Sequence, residues 1–275
     1  MRIFAMLIAQ NVSKKSSLLK ALLGVTLFIS LQGCTTRDYN AENSGSGVLL
    51  VGGASASSSQ FPSVLQLSDQ SCTAVKMGTR HLLTARHCVA GLIKGTLIKL
   101  QSGVDTASAK IKTATLDQDA VLHPTVDLAV LKLVSDPLNL PAAQLATQTP
   151  RANDFVTLVG YGCTDRNSTP VDTGGGVLTS GALNNELRYL VGPLSRVSAS
   201  DLFYQASVSI SSLASGIALP GLCPGDSGGP LWNNQNPMRV LGVNSSYHPS
   251  GESRFVRVDT LAANGVQSWI QNALN

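Results

Sequence analysis

The chain has 275 residues, 43% hydrophobic and 13% charged, which is enough for a large core and too apolar for a disordered chain. Its formal charge of +4 does not mark a nucleic-acid partner: Arg2, Lys14, Lys15 and Lys20 lie before Cys34, where there is no acid, and the remainder balances at 20 − 4 = 16 cations against 16 anions. A basic, nucleic-acid-binding class is therefore excluded.

In chain order, the first element is a basic stretch ending at Lys20, followed by the apolar run ALLGVTLFISL, Ala21 to Leu31. That run is too short to span a bilayer and has the shape of a signal-peptide core, so residues 1–33 are expected to direct export. LQGC, Leu31 to Cys34, resembles the bacterial lipobox, in which the cysteine receives diacylglycerol and becomes the first residue. Buried acyl methylenes contribute about 0.8 kcal/mol each, so two or more chains anchor a protein stably. The expected location is the cell envelope, with membrane contact through Cys34 and residues 34–49 as a polar Gly/Ser tether.

Setting Cys34 aside leaves four cysteines in an exported chain, where disulfides persist. Cys72 and Cys88 bound CTAVKMGTRHLLTARHC, two apolar runs broken by MGTR that read as a hairpin. Closing a loop of that length contributes about 3 kcal/mol. Cys163 and Cys223 pair by elimination. From Ser63 onward the texture is short strands with turn punctuation: SVLQL, TLIKL, DLAVLKLV, FVTLVGYG, LFYQASVSI, RVLGVNSS and RFVRV. That pattern predicts an all-β sandwich or barrel, closed by one amphipathic helix in TLAANGVQSWIQNAL.

Three stretches carry chemistry. CPGDSGGPLW, Cys223 to Trp232, sets Ser227 between an acid and two glycines, a run that permits strained backbone and leaves amides free to face a ligand. LTARHC, Leu83 to Cys88, pins His87 beside a predicted disulfide. VDLAVLKL, Val126 to Leu133, puts Asp127 at the head of an apolar strand, where an unpaired charge would be costly.

In the order His87, Asp127, Ser227, these motifs resemble the trypsin/chymotrypsin family of serine proteases, whose triad follows that chain order. The resemblance runs from Leu50 to the C-terminus. It implies an all-β, chymotrypsin-like fold of two six-stranded antiparallel barrels with a C-terminal helix. The protease domain would cover 50–275, barrel one about 50–150 and barrel two about 151–275. Ser227 would be the nucleophile, His87 the general base and then acid, and Asp127 the group that fixes the imidazole tautomer. The amides of Gly225 and Ser227 would form the oxyanion hole. The reading is a monomeric endopeptidase acting on protein or peptide substrates, with no cofactor and no metal.

Blander assignments compete at several positions. His87 beside Cys88 could be half of a zinc site, but no second Cys/His cluster stands at ligand spacing. Asp117 and Asp119 are rival acids, and neither opens an apolar strand. His81 and His123 read as structural, whereas His248 follows the strand expected to bind substrate. The chain also departs from the family pattern. Arg86 stands where alanine is usual, Pro224 precedes Gly225, and no cysteine follows Cys223, which leaves Cys163 as its substitute partner.

By the same resemblance, Gly221 lies at the bottom of the primary pocket, where trypsin-like enzymes carry aspartate, so cleavage after Arg or Lys is not expected. Within LGVNSSY, Ser245 aligns with the serine that supports the triad acid and the substrate backbone, and Tyr247 aligns with the pocket wall. A small or medium apolar residue is therefore expected before the scissile bond.

The resemblance also matches Leu50-Val51-Gly52-Gly53 to an N-terminus made by proteolysis, whose ammonium pairs with the aspartate matching Asp226. Leu49 replaces the usual Arg or Lys before it. The ungapped spacing from Leu50 to Pro62 favours a cut at Leu49–Leu50, which would also free the enzyme from its lipid. Otherwise Leu50 stays internal and Asp226 takes another partner. A reading from a different class is a protease-shaped binding or adhesion lipoprotein, disabled by Arg86 and Pro224. The intact triad favours the enzyme.

Overall fold

The computed structural model describes residues 50–275 apart from 52, 57–58, 103–109, 137, 164–169, 173–177, 181–185, 207–218, 235 and 249. The expected signal segment, Cys34 and the tether lie outside the described residues, as does Leu49.

The strands are β1 (Ala54–Ser55), β2 (Val64–Leu67), β3 (Cys72–Lys76), β4 (His81–Thr84), β5 (Leu97–Ser102), β6 (Lys110–Thr115), β7 (Val121–Leu122), β8 (Ala129–Lys132) and β9 (Gln144–Leu145). They continue with β10 (Phe155–Gly160), β11 (Pro170–Asp172), β12 (Leu178–Ser180), β13 (Arg188–Val197), β14 (Asp201–Gln205), β15 (Pro230–Asn233), β16 (Asn236–Tyr247) and β17 (Glu252–Arg257). The described residues also hold two short α-helices, α1 (Arg86–Val89) and α2 (Val266–Ala273), and two 3₁₀ turns, Ser68–Gln70 and Ala263–Gly265. The expected hairpin is β3–β4, with Val75 opposite Leu83.

β2 to β8 form a curled sheet in the order β6-β5-β2-β3-β4-β8-β7, whose two outer strands do not pair with each other among the described residues. The second sheet does close. β13, β10, β15, β16, β17 and β14 follow one another, and β13 pairs with β14 to complete a six-stranded ring, while β1 and β9 add to its margins. β11 and β12 pair only with each other.

Side-chain alternation explains where each sheet buries its apolar face. Leu65, Leu82, Ile98, Leu100 and Leu131 fill the N-terminal sheet, and Val156, Leu158, Leu202, Leu231 and Phe255 fill the closed barrel. A third cluster joins them: Val75, Leu83 and Val130 from one sheet meet Val159, Trp232, Val243 and Val256 from the other. Helix α2 adds Val266 and Ile270 to this seam, each apolar side chain contributing about 1.5–3 kcal/mol by burial. The helix starts later than its apolar pattern suggests, because Asn264 and Gly265 take left-handed backbone at φ 61° and 62°. Among the described residues no helix is long and apolar enough to cross a membrane.

Candidate active site

His87 sits on the single turn of α1, which leaves β4 through the extended residue Ala85. The Cys72–Cys88 disulfide ties that turn back to the start of β3. His87 meets Asp127 twice: its backbone amide donates to Oδ1 at 3.0 Å, and ring Nδ1 lies 2.8 Å from Oδ2. Ser245 Oγ donates to the same Oδ2 at 2.7 Å. Burial works to raise the Asp127 carboxyl pKa, but the hydrogen bonds from the His87 ring, Ser245 and the His87 amide outweigh it and bring it down to about 2. An ionised carboxylate only accepts, so Nδ1 carries the proton and Nε2 presents its lone pair.

The segment before Asp127 is cinched around His123. The amides of Thr125 and Val126 both donate to His123 Nδ1 at 3.2 Å, and the ring packs edge-on against Trp269 of α2 with centroids 4.8 Å apart. Arg86 does not crowd the site. Its Nη1 turns to the carbonyls of His123 and Pro124, at 3.1 and 3.3 Å, and braces the loop that delivers Asp127.

Ser227 follows a tight turn. Asp226 N donates to Cys223 O at 3.0 Å, with Pro224 and Gly225 at the corners and Gly225 at φ 99°. Proline then a positive-φ glycine is the signature of a type II turn, so Pro224 presets the bend. The Asp226 carboxylate is fully buried and accepts from the amides of Gly162 at 2.8 Å and Cys223 at 2.9 Å. The Cys163–Cys223 disulfide fastens the same turn to the end of β10. Among the described residues the amides of Gly225 and Ser227 have no acceptor.

Gly228 brings the turn against the histidine-bearing strand: a Cβ there would lie 2.0 Å from Thr84 Oγ1 and 2.9 Å from Ala85 N. Ser227 O accepts from Thr73 N at 2.8 Å. The turn and α1 thus share the seam between the sheets. Among the described residues no hydrogen bond joins Ser227 Oγ to the His87 ring.

The expected pocket residues converge as well. Leu222 N, next to Gly221, donates to Ser253 Oγ at 3.0 Å, and Ser253 faces Tyr247 across β16 and β17. A bulge between Asn244 and Ser246 displaces Ser245 from the ladder and lets its hydroxyl reach Asp127. Leu50 is buried in the closed barrel, and its carbonyl accepts from Gly53 N. Val51 packs on Cys163 and Cys223, and its carbonyl accepts from Gly221 N.

Other candidates fall away from the site. Asp117 lies 3.7 Å from Arg80, Asp119 caps Lys94 N, and His248 bonds Ser250 Oγ on the surface. His81 is buried in the hairpin, where desolvation and then Lys132 and Arg80 lower its pKa. Ligand-type atoms of Cys72, His87 and Cys88 lie within 4.8 Å of one another, but the disulfide consumes both sulfurs and leaves one imidazole. A cleft of about 440 Å³ beside Gln148, Asn153, Phe155 and Asn234 shares no residue with this constellation.

Three contributors were not read from the sequence: Thr73, Asn244 and Ser253. Asn244 had a visible signal, a lone amide inside the apolar strand LGVNSSY. Thr73 and Ser253 had none.

A closed six-stranded barrel, a curled companion sheet, a short C-terminal helix and a site on their seam define the chymotrypsin-like fold class. Residues 50–270 match the Trypsin family. The chain belongs to that family. A solved structure described as the atomic resolution structure of HBP is similar in fold, at TM-score 0.59 and 18% identity, over 82% of this chain and 96% of that one.

Proposed function

We propose that this chain is an exported, lipid-anchored serine endopeptidase that cleaves peptide bonds through an acyl-enzyme. One observation carries the reading: Asp127, its pKa brought down to about 2, is held jointly by His87 and Ser245, so it fixes the tautomer in which His87 Nε2 is the base. Ser227 Oγ attacks the scissile carbonyl carbon as its proton passes to Nε2. The oxyanion takes the amides of Gly225 and Ser227. Collapse breaks the C–N bond, and the imidazolium returns the proton to the leaving amine. Water then attacks the ester by the same route, releasing the acid and regenerating Ser227.

Gly221, beside Leu222 and Ser253, stands where trypsin-like enzymes carry aspartate, which supports small or medium apolar side chains before the scissile bond rather than Arg or Lys. The binding or adhesion alternative rests on Arg86 and Pro224. Arg86 braces the Asp127 loop and Pro224 suits its turn, so both features weigh toward the enzyme.

A fluorophosphonate probe tests the reaction directly. It should label the wild type and neither Ser227→Ala nor His87→Ala; labelling that survives Ser227→Ala defeats the assignment. Among chromogenic peptides, an alanine substrate should outpace arginine. We further propose that Cys34 carries the lipid and that a cut at Leu49–Leu50 releases the active form. N-terminal sequencing of soluble, probe-reactive protein should read Leu-Val-Gly-Gly, whereas an active form still bearing lipidated Cys34 would show that no cut is needed.

A further inference from the structure

Asn244 is fully buried on β16 between Val243 and Ser245. Its side-chain Nδ2 donates to Asp226 O and to Val159 O, both at 3.0 Å. Its backbone amide donates to Gly229 O and its carbonyl accepts from Gly228 N, both at 2.8 Å. The residue before Ser227 and the two after it are therefore all held by Asn244. Both side-chain partners are carbonyls, which fixes the amide orientation, because only the NH₂ end can serve them.

That arrangement leaves Oδ1 buried without a partner among the described residues. An unsatisfied buried acceptor costs stability and offsets part of what the two Nδ2 bonds contribute. A polar side chain placed at such a cost inside an apolar strand points to a functional site. The next residue gives the reason. Ser245, displaced by the bulge, donates to Asp127, so adjacent residues hold the turn of Ser227 and the acid of the His87 pair.

We infer that Asn244 is a positioning residue for acyl transfer: by tying the Asp226 carbonyl to β16, it sets the Ser227 turn at a fixed place relative to His87 and Asp127. This inference rests on the reading of Ser227 as nucleophile. Valine would fill much of the site but offers no donor, and threonine offers one donor on a shorter arm.

The test compares wild type, Asn244→Val and Asn244→Thr, each expressed as the full chain and measured in its exported, processed form, by kcat and KM on an alanine peptide ester, the rate of fluorophosphonate labelling, and thermal melting. Asn244→Val should lose on the order of 100-fold in kcat, the scale of a misplacement of about 1 Å. KM should hardly move, and melting should fall, since Asp226 O and Val159 O each lose a donor; a kcat loss with unmoved KM, measured well below the melting temperature, is the split that a merely structural role would not give. Wild-type kcat in Asn244→Val overturns the inference. If Asn244→Val does not fold, Asn244→Thr decides: reduced kcat at unchanged melting supports the role, and full kcat removes it. A wild type that neither labels nor hydrolyses brings down the protease reading and this inference together; an active wild type matched by Asn244→Val brings down this inference alone.

Discussion

Thr73 Oγ1 donates to the carbonyl of Gly225 at 2.7 Å, from the first sheet to the turn that carries Ser227. The same hydroxyl oxygen accepts from Tyr161 N at 3.1 Å, and the Thr73 carbonyl accepts from Thr84 Oγ1 at 2.8 Å. With its amide on Ser227 O, one residue uses every polar group it has to join two sheets at the site. Thr73→Val would take a donor from Gly225 O and an acceptor from Tyr161 N. We expect about 1–3 kcal/mol lower stability and roughly tenfold slower turnover from a loosened turn. Chemical denaturation and kcat/KM on one peptide check both, and unchanged turnover would show that the turn holds itself.

Ser245→Ala takes one donor from Asp127, so its carboxyl pKa should rise from about 2. The depressed pKa is a source of stability that is complete above the ordinary value of 3.8 and is lost as pH falls through 2. The contribution is about 1–2 kcal/mol after discounting for partial exposure. Acid unfolding of Ser245→Ala should therefore begin at higher pH than in the wild type. Coincident acid-unfolding curves would remove Ser245 from the network.

His123 predicts a second pH effect with the same sign. Burial, and after it Arg86, lowers its pKa below the ordinary 6.5, so the unfolded chain takes up the proton first. Stability is full above 6.5 and declines as pH drops below it, since protonated Nδ1 cannot accept from Thr125 and Val126. His81, also lowered, adds to the decline. Melting temperatures from about pH 7 to 5 should fall in the wild type and fall less in His123→Gln.

The Cys163–Cys223 bond closes a separation of 60 residues, which the chain-entropy argument values at about 4 kcal/mol. Replacing both cysteines by serine should lower stability on that scale and slow labelling of Ser227, because the oxyanion turn loses its tie to β10. Non-reducing mass mapping should recover the linked peptide; free thiols at both positions would contradict it.

How much of this was legible in the sequence depended on the range of the interaction. Cys72–Cys88, β3–β4 and the strand after Asp127 are local patterns of alternation and turn residues, and they read directly. β6 and β13 did not, since KIKTAT is mostly exposed and RYLVGPLSRV carries a proline and bulge that blur its period. His87, Asp127 and Ser227 stood out because glycines and charges there break the surrounding apolar rhythm, and their grouping came from the family resemblance. Arg86 was visible too, but its direction was not: only the fold places the carbonyls of His123 and Pro124 where the guanidinium can reach them. Thr73 looks like any strand threonine, and its role exists only because Gly225, 152 positions away, comes to lie beside it.

The hydrogen bonds that assemble the site span 40 positions from His87 to Asp127, 118 from Asp127 to Ser245 and 152 from Thr73 to Gly225. Contacts so distant along the chain close late in folding, after local hairpins have formed. If Ser227 is the nucleophile proposed above, a partly folded chain holds strands without a competent site, and spares its neighbours while its own backbone is still open to attack. In a refolding time course, probe reactivity should lag behind the recovery of β-structure; the two rising together would show that the site forms with the first hairpins.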